Sequence, residues 1–223
     1  MHYPTLFINL LIFSILPTFL FAQEDWELKK DSKGISVWWR ATEGTDIKEI
    51  KIQLEVEASL NTIVSVMTDV PAYEEWVYAT DKSMVIEDES EDVIYYNIMD
   101  FPWPMDDRDL VMRTNVIQDP DTKIITSKSI AAPEKVPYDD DMVRVEMTET
   151  EWIVTPLGNN KARIDYRLIS DPGGSIPAFL TNIAADYGPY KTMAAFRERV
   201  KRPEYSEVNI EGIEELQLVE KED

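Results

Sequence analysis

The side chains that most often carry catalysis are nearly absent from this chain. Its one histidine is His2, and it contains no cysteine. The rest of the chain therefore lacks a histidine base, a thiol nucleophile and the ligands of a Cys/His zinc site. Gly173-Gly174 is the one glycine pair, and no phosphate-binding loop or dinucleotide fingerprint is present. These observations exclude the commonest hydrolase and transferase arrangements, so we expect no catalytic residue, no metal and no cofactor.

Carboxylates are the remaining candidates for chemistry. Asp139-Asp140-Asp141, and Asp88-Glu89 with Glu91-Asp92, could act as calcium ligands or as a glycosidase pair. Neither group has a spacing like that of an EF-hand loop. In so acidic a chain, solvated loop charge is the interpretation that we favour for both groups.

Polar side chains on predicted strands favour binding over catalysis. Ile125, Ser127 and Ser129 share one strand face, whereas Ile124, Thr126, Lys128 and Ile130 share the other. Whichever face is inside therefore holds polar groups, which a dry core avoids. This pattern is typical of a wall that lines a cavity.

Arg108 is another polar side chain on a predicted inward face. It lies on the same side of a predicted strand as Leu110 and Met112, so if that apolar face points inward it carries an arginine at its edge. A buried arginine needs a partner or a wet cavity, and Asp106, Asp107 and Asp109 are the nearest acids in sequence. The alternative is that Arg108 begins the strand and reaches out to water.

Hydrophobic periodicity predicts the elements that position these residues. Residues 50–57 and 162–168 alternate apolar and polar side chains, as half-buried strands do. The other predicted strands are Trp26–Lys30, Ile35–Ala41, Met84–Glu87, Val93–Met99, Asp109–Ile117, Lys123–Ile130 and Met142–Val154. Most connections are too short for helical crossovers, so we expect an α+β fold with a curved antiparallel sheet.

Helical periodicity is found in two places. Ser59 is a predicted N-cap for a short helix over Leu60–Thr68, and a second short helix over Ala72–Val77 follows it. Apolar residues three and four apart predict a long amphipathic helix over Ile176–Val200. Gly188-Pro189 lies inside that stretch, and we expect the proline to kink the helix there.

The two ends of the chain differ from the middle. Residues 1–22 contain no charged side chain, and the apolar run Leu6–Phe21 followed by Ala22 resembles a secretory signal peptide cleaved after Ala22; an uncleaved membrane anchor is the alternative. Export without cysteine favours a bacterial periplasm or exterior. Residues 23–203 then form the folded domain, and residues 204–223 are a predicted solvated or partly helical acidic tail outside it.

The charge balance limits the partners. The chain has 43 Asp and Glu against 22 Lys and Arg, a net charge of -21. Such a field repels phosphate backbones and anionic lipid headgroups at long range. We therefore expect no nucleic-acid partner and no tight docking on anionic bilayers.

Two segments carry a resemblance to a known family. The segments PWPMDDRDLVMR (Pro102–Arg113) and DPGGSIPAFLTNIAADYGPYKTMAAFRERV (Asp171–Val200) resemble those of the START lipid-transfer family, within the helix-grip, Bet v 1-like superfamily. The similarity spans roughly Trp26 to Pro203. It implies a helix-grip fold in which a curved sheet wraps around the C-terminal helix, with two short helices after the third strand. It also implies a hydrophobic tunnel that holds one lipid or other apolar small molecule.

The resemblance also implies where such a ligand would lie. Family members often carry a charged pair in the tunnel, and Arg108 with Asp109 is the matching place. We expect the tunnel to be lined by that pair and by Trp103, Met112, Trp152, Tyr166, Leu180, Ile183 and Tyr187. The kink at Gly188-Pro189 and the loop over residues 130–141 are expected to open together as a gate.

Three functions follow from these observations. The first is non-catalytic binding and transfer of a lipid by a monomer that contacts a membrane or an envelope protein transiently. The second is an enzyme of the same fold, similar to the polyketide cyclases and aromatases, and catalytic turnover would distinguish it. The third is an envelope interaction module without a ligand, for which a dry and filled interior would be the sign.

Overall fold

The computed structural model describes residues 26–88, 92–174, 176, 181 and 186–217. Within them, period-two alternation produces ten β-strands in one sheet. The strands are β1 (Glu27–Ser32), β2 (Ile35–Arg40), β3 (Glu49–Glu57), β4 (Thr80–Asp88), β5 (Val93–Met99), β6 (Arg108–Gln118), β7 (Ile125–Ala131), β8 (Val143–Arg144), β9 (Met147–Gly158) and β10 (Lys161–Asp171).

The sheet order is β1-β2-β3-β10-β9-β7-β6-β5-β4, and all of these neighbours are antiparallel. The short strand β8 pairs with β6 in parallel, off this path. The predicted antiparallel sheet of an α+β fold is therefore confirmed. The sheet is curved, as expected.

One predicted strand, over Met142–Val154, is divided in the structure. The backbone N–H groups of Val143 and Val145 donate to Asp107 and Asp109 of β6, each at 2.9 Å. From Met147 onward, the chain pairs with β10 instead. The chain therefore changes pairing partner between β8 and β9, which apolar patterning alone does not reveal.

The helices are α1 (Leu60–Thr68), α2 (Tyr73–Trp76) and α3 (Tyr187–Arg199), with 3-10 turns at Val70–Ala72, Pro133–Lys135 and Pro203–Tyr205. Helix α1 has the predicted bounds, and the Ser59 hydroxyl accepts the Thr62 N–H at 3.1 Å, as an N-cap does. The two predicted short helices after the third strand are confirmed.

The C-terminal helix differs from the prediction in where it is interrupted. Thr181 is helical, Asp186 lies in a turn, and α3 begins at Tyr187. Pro189 is thus in the first turn of α3, where a backbone N–H has no partner within the helix. In the described part of the helix, Gly188 and Pro189 therefore lie in the first turn of α3 and not at a kink in its middle. Residues 177–180 and 182–185 of the predicted helix lie outside the described residues.

The core lies between one face of the sheet and the helices. Met193 and Phe196 of α3 are completely buried. The Phe196 ring lies 5.5 Å from that of Trp76 in α2 and 5.1 Å from that of Trp152 in β9. Helix α3 therefore packs across the middle of the sheet through this aromatic contact. No helix among the described residues is long and apolar enough to cross a membrane.

The acidic tail differs from its prediction. Through Gln217 it lies against α1 instead of extending into solvent. The Glu215 carboxylate accepts the N–H groups of Leu60 and Asn61, each at 2.9 Å, at the start of α1. Tyr205 is buried, and its hydroxyl donates to Asp69 at 2.6 Å. Glutamate side chains placed at a helix N-terminus offset the helix dipole, which explains why an acidic segment packs here.

Candidate ligand-binding site

The face of the sheet that packs against the helices, here called the inner wall, carries Tyr95, Met112, Ser127, Trp152 and Tyr166. Trp152 of β9 has Ser127 directly opposite it on β7 and Tyr166 directly opposite it on β10. Strand pairing thus sets hydroxyl groups and large apolar rings side by side. The prediction that the buried face of β7 holds polar groups is confirmed, because Ser127 and Ser129 are both 5% exposed.

Hydroxyl groups form a continuous cluster on the inner wall. The Ser129 hydroxyl donates to Thr114 at 2.8 Å, and the Thr114 and Ser127 hydroxyls are 3.4 Å apart. Ser129 also lowers the pKa of Tyr95, against the larger effect of burial. Each hydroxyl can both donate and accept, so the cluster keeps bonding capacity for another group.

Three buried tyrosines contribute neutral groups to this interior. Burial raises the pKa of Tyr95 to about 12. Burial also raises the pKa values of Tyr73 and Tyr166 above the ordinary value for tyrosine. The rings of Tyr73 and Tyr95 meet edge to face with centroids 5.7 Å apart. These phenols stay protonated at physiological pH and present neutral hydroxyls to the interior.

A cavity of about 360 Å³ lies between α1, the inner wall and the tail. Its apolar lining includes Val64, Met67 and Val116, and its polar lining includes Thr114 and Ser127. Residues 210–213 of the tail also line it. The lining also includes the amides of Asn115 and Gln118 and the carboxylates of Asp88 and Glu211, so the cavity combines apolar and polar groups.

Arg108 lies at the start of β6 on the inner wall and is 2% exposed. Its guanidinium donates to the carbonyls of Asp106 and Pro172 and lies 4.2 Å from the centroid of the Phe101 ring. No carboxylate among the described residues lies within ion-pair distance of it. Burial lowers the pKa of Arg108, and the nearby charges of Asp106 and Asp107 oppose that shift.

The prediction that Arg108 pairs with Asp109 is wrong. Successive residues of a strand point to opposite faces, so Asp109 lies on the outer wall, the face of the sheet that also carries Ile94 and Val111. Its carboxylate binds Arg144 through two bonds, of 2.8 Å and 2.7 Å. Both side chains are almost completely buried.

Arg144 has a full set of partners on the outer wall. Besides Asp109, its guanidinium donates to the carbonyls of Pro133, Val136 and Pro137 at 2.6 to 3.0 Å. The hydrogen bonds to Asp109 raise the pKa of Arg144. This pair therefore anchors residues 133–137 to β6. Arg144 was not predicted as the partner of Asp109, because Arg108 lies next to Asp109 in the chain and Arg144 is 35 residues away.

The predicted site residues fall into three groups. Met112, Trp152 and Tyr166 lie on the inner wall, as expected. Trp103 is 92% exposed, so its side chain does not line the interior, and Tyr187 is half exposed at the start of α3. Leu180 and Ile183 lie outside the described residues.

The predicted gate residues lie where α3 begins. A Cβ atom added at Gly188 would come within 3.1 Å of the Tyr78 ring, which is closer than side chains normally approach. The Tyr78 ring in turn meets that of Tyr187 edge to face at 5.3 Å. A larger residue at position 188 would therefore require the Tyr78 ring to shift by a few tenths of an ångström.

Comparison with known proteins identifies the family. The START domain family model matches residues 20–206. The chain therefore belongs to the START domain family, and its predicted resemblance to that family is confirmed.

Individual relatives agree with this assignment. An uncharacterised protein of Pseudomonas aeruginosa, PA1579, is 28% identical over 179 residues, which is 80% of this chain and 88% of that protein. Mouse phosphatidylcholine transfer protein is 25% identical over 169 residues, 74% of this chain and 78% of its own length. The crystal structure of a STAR-related lipid transfer protein fragment from Xanthomonas axonopodis superimposes with a TM-score of 0.74 at 26% identity, covering 79% of this chain and 99% of the fragment.

Proposed function

We propose that this protein binds one lipid or other apolar small molecule between the inner wall and the helices, and transfers it without chemical change. The START family is known for lipid binding and transfer, and one matching relative is a phosphatidylcholine transfer protein. The observation that supports the proposal in this chain is the inner wall itself. Buried hydroxyls stand among apolar rings there, beside a cavity of about 360 Å³.

The physical basis is the removal of apolar surface from water. Burying a ligand's apolar surface contributes about 25 cal/mol per Å², while a few polar groups orient its polar end. The hydroxyl cluster of Ser127, Ser129 and Thr114 offers such groups without charge. The protein thus offers an apolar molecule a low-energy environment outside a membrane.

Location and contacts form part of the proposal. The apolar segment Leu6–Phe21 favours export to a bacterial periplasm or exterior, with cleavage after Ala22. A net charge of -21 favours brief encounters with membranes or delivery to an envelope protein by a monomer. An export assay with the radiolabelled protein, followed by N-terminal sequencing of the processed form, would test whether the chain is exported and cleaved after Ala22.

The proposed gate lies at the start of α3, where Gly188 approaches Tyr78 and Pro189 follows. We expect this turn and the loop over residues 130–141 to move apart when a ligand enters. A Pro189→Ala variant should change the rate of fluorescent-lipid exchange between vesicles without changing the amount bound at equilibrium. Unchanged exchange rates would rule out the helix as part of the gate.

The test of function is native mass spectrometry of the mature protein, purified from its own envelope fraction without detergent. Extraction and identification of the bound molecule should show one lipid per chain. A protein that is apo and takes up nothing from a lipid panel would contradict the carrier proposal. Chemical conversion of a bound molecule over many turnovers would instead identify an enzyme.

A further inference from the structure

A groove of about 730 Å³ lies between the edge strand β4 and the loop that follows β7. Met84, Ile86 and Tyr96 line it from the strands, and residues 136–141 line it from the loop. Met84 is directly opposite Tyr96 in the β4–β5 pairing, and the Tyr96 hydroxyl donates to Asp109 at 3.1 Å. The groove therefore belongs to the outer wall, on the opposite face of the sheet from the proposed ligand space.

Several apolar side chains of this groove are exposed. Met84 is 44% exposed, Ile86 is 39% exposed and Tyr138 is 59% exposed. Val136 is partly buried against an apolar cluster of the outer wall. Single exposed apolar residues are common, but a group that shares one groove with charged residues beside it is typical of an interaction site.

The loop side of the groove is held in place by Arg144. Its guanidinium donates to the carbonyls of Val136 and Pro137. The same guanidinium lies 4.7 Å from the centroid of the Tyr138 ring, and the Tyr138 hydroxyl donates to Glu146 at 3.1 Å. These contacts position an exposed aromatic ring before any partner arrives, so little ordering of the groove opposes binding.

The edge of β4 is poorly suited to pairing with another strand. The register of β4 against β5 shifts between Val85 and Glu87, as it does at a β-bulge. Helix α2 also occupies part of this edge, because the Glu74 carboxylate accepts the Ser83 N–H at 3.1 Å. A bulged and partly covered edge is a poor template for adding a strand. Recognition at the groove therefore depends on side chains of the outer face and the loop.

The charge of the groove limits the kind of partner. Asp139, Asp140 and Asp141 are exposed, and no described residue that lines the groove is basic. Lys135 of the same loop is bonded to Glu87 at 2.9 Å. The groove therefore attracts cations, and the net charge of -21 adds to that attraction at long range.

The same charge disfavours three other occupants. Nucleic acid and an anionic bilayer would bring negative charge toward the three aspartates. A second copy docked through the same groove would bring two sets of these aspartates together. A protein segment with basic side chains avoids this repulsion, and apolar side chains beside them can cover the exposed apolar residues.

We propose that the outer-wall groove binds a segment of another protein in which apolar side chains are flanked by Lys or Arg. The apolar side chains pack on Met84, Ile86 and Tyr138, and the basic ones lie beside residues 139–141. This surface is separate from the ligand space, so the proposal goes beyond lipid binding and does not require a bound lipid.

Selection from a phage-displayed library of random peptides is the first arm of the test. The purified wild-type protein is the bait. The recovered peptides should combine large apolar residues with Lys or Arg. Recovery of acidic peptides, or of none above background, would overturn the proposal.

The second arm measures the affinity of one recovered peptide by fluorescence anisotropy. A Met84→Gln/Ile86→Thr variant should bind it at least about tenfold more weakly, because a few apolar anchors supply most of an interface's energy. Ile117→Thr/Leu157→Gln is the matched control, since it alters two exposed apolar residues that do not line the groove. The control should keep the wild-type affinity within about twofold. Equal losses in the two variants would refute a role of the groove.

The carboxylates are tested in the same assay. Asp→Asn substitution at all three of residues 139–141 should weaken binding about tenfold at low salt and less at high salt, because salt screens charge attraction. Asp121→Asn/Glu204→Gln/Glu207→Gln removes the same charge at exposed positions that do not line the groove. This control should lose less than about threefold. A loss as large as that of the groove variant would show attraction by net charge alone and overturn the proposal.

Two further measurements locate the occupant. NMR signals of Met84, Ile86 and Tyr138 should shift when the peptide is added, and shifts confined to the inner wall would overturn the proposal. A wild-type dimer that the Met84→Gln/Ile86→Thr variant lacks, seen by sedimentation, would assign the groove to a second copy and also overturn it. Lipid binding, measured by native mass spectrometry, should be the same in that variant as in the wild type. The carrier function and the docking surface can therefore fail separately.

Discussion

The two walls of the sheet treat neighbouring residues of β6 in opposite ways. On the outer wall, Asp109 and Arg144 neutralise each other, and carbonyl groups accept the remaining guanidinium hydrogens. On the inner wall, Arg108 is as deeply buried but has carbonyls and the Phe101 ring as its partners. Successive side chains of β6 point to opposite faces of the sheet. The fully bonded Asp109–Arg144 pair and Arg108, which has no carboxylate partner among the described residues, therefore lie on different walls.

This difference separates residues that stabilise the fold from residues that keep hydrogen-bonding capacity. The outer wall holds residues 133–137 in place with a saturated network, which leaves nothing for a ligand to satisfy. Among the described residues, the inner wall keeps polar atoms without a hydrogen-bond partner at Ser83 and Asn97, and hydroxyls with spare bonding capacity at Ser127. Buried groups of that kind cost stability, and proteins retain them mainly where they serve a function.

The largest expected effect follows from breaking the Asp109–Arg144 ion pair of the outer wall, here called the outer pair. Asp109→Asn leaves the buried Arg144 without its counter-charge, and we expect a loss of about 3–5 kcal/mol in the free energy of unfolding. Urea denaturation measures this loss. The exposed Asp140→Asn is the control and should change stability by less than about 0.5 kcal/mol. Equal effects of the two variants would show that the outer pair contributes no more than surface charge.

Replacing each arginine by methionine sharpens the comparison. Arg144→Met should again cost about 3–5 kcal/mol, because it leaves the Asp109 carboxylate buried and unpaired. Arg108→Met strands no carboxylate, so we expect a loss of about 1 kcal/mol from its carbonyl hydrogen bonds. The same urea titrations measure both. An Arg108→Met loss as large as that of Arg144→Met would refute the distinction between the walls.

The tail lines the cavity beside the inner wall, and its attachment to α1 is the next contact to break. Glu215→Ala removes the carboxylate that accepts two N–H groups at the start of α1, and should cost about 1 kcal/mol. Glu207→Ala, at an exposed position of the same tail, is the control. Hydrogen exchange at Leu60 and Asn61 should accelerate in Glu215→Ala alone. Unaltered exchange there would mean that the tail does not hold α1 in solution.

The smallest effect concerns an ion pair at the surface, the counterpart of the buried outer pair. Hydrogen bonds from Arg199 and Arg202 lower the pKa of Glu75 from 4.5 to about 2. Because the folded-state pKa is the lower one, this contribution is complete above pH 4.5 and is lost as the pH falls toward 2. Stability curves of the wild type and Glu75→Gln should therefore converge across that range. NMR titration of Glu75 gives its pKa directly, and an ordinary value would contradict the contact.

Local periodicity was sufficient to predict most elements. The bounds of α1 and β5 agree with the predicted Leu60–Thr68 and Val93–Met99, and the Ser59 cap is present. These features depend on residues within one or two turns, or on one strand and its alternation. The inward direction of Met112, Trp152 and Tyr166 was predictable for the same reason, because strand parity follows the sequence directly.

Contacts between distant segments could not be predicted in this way. Asp109 was assigned to its neighbour Arg108, although β8 brings Arg144 to it from 35 residues away. Trp103 was placed in the tunnel because the segment Pro102–Arg113 resembles the family, but its loop leaves it exposed. The acidic tail was placed in solvent on its composition, whereas the free N–H groups at the start of α1 attract its carboxylate.

The sequence by itself determined the antiparallel sheet, the short helices, the family and the presence of polar groups on a buried wall. Each of these follows from side-chain alternation, helical spacing or a local motif, which are properties of contiguous residues. Tertiary structure alone decided which buried charge is paired, which polar atoms of the inner wall lack a partner among the described residues and what lines the cavity. Those outcomes depend on which remote strand, loop or tail packs beside each group. The free energy of that packing depends on contacts throughout the folded protein and not on neighbouring residues alone.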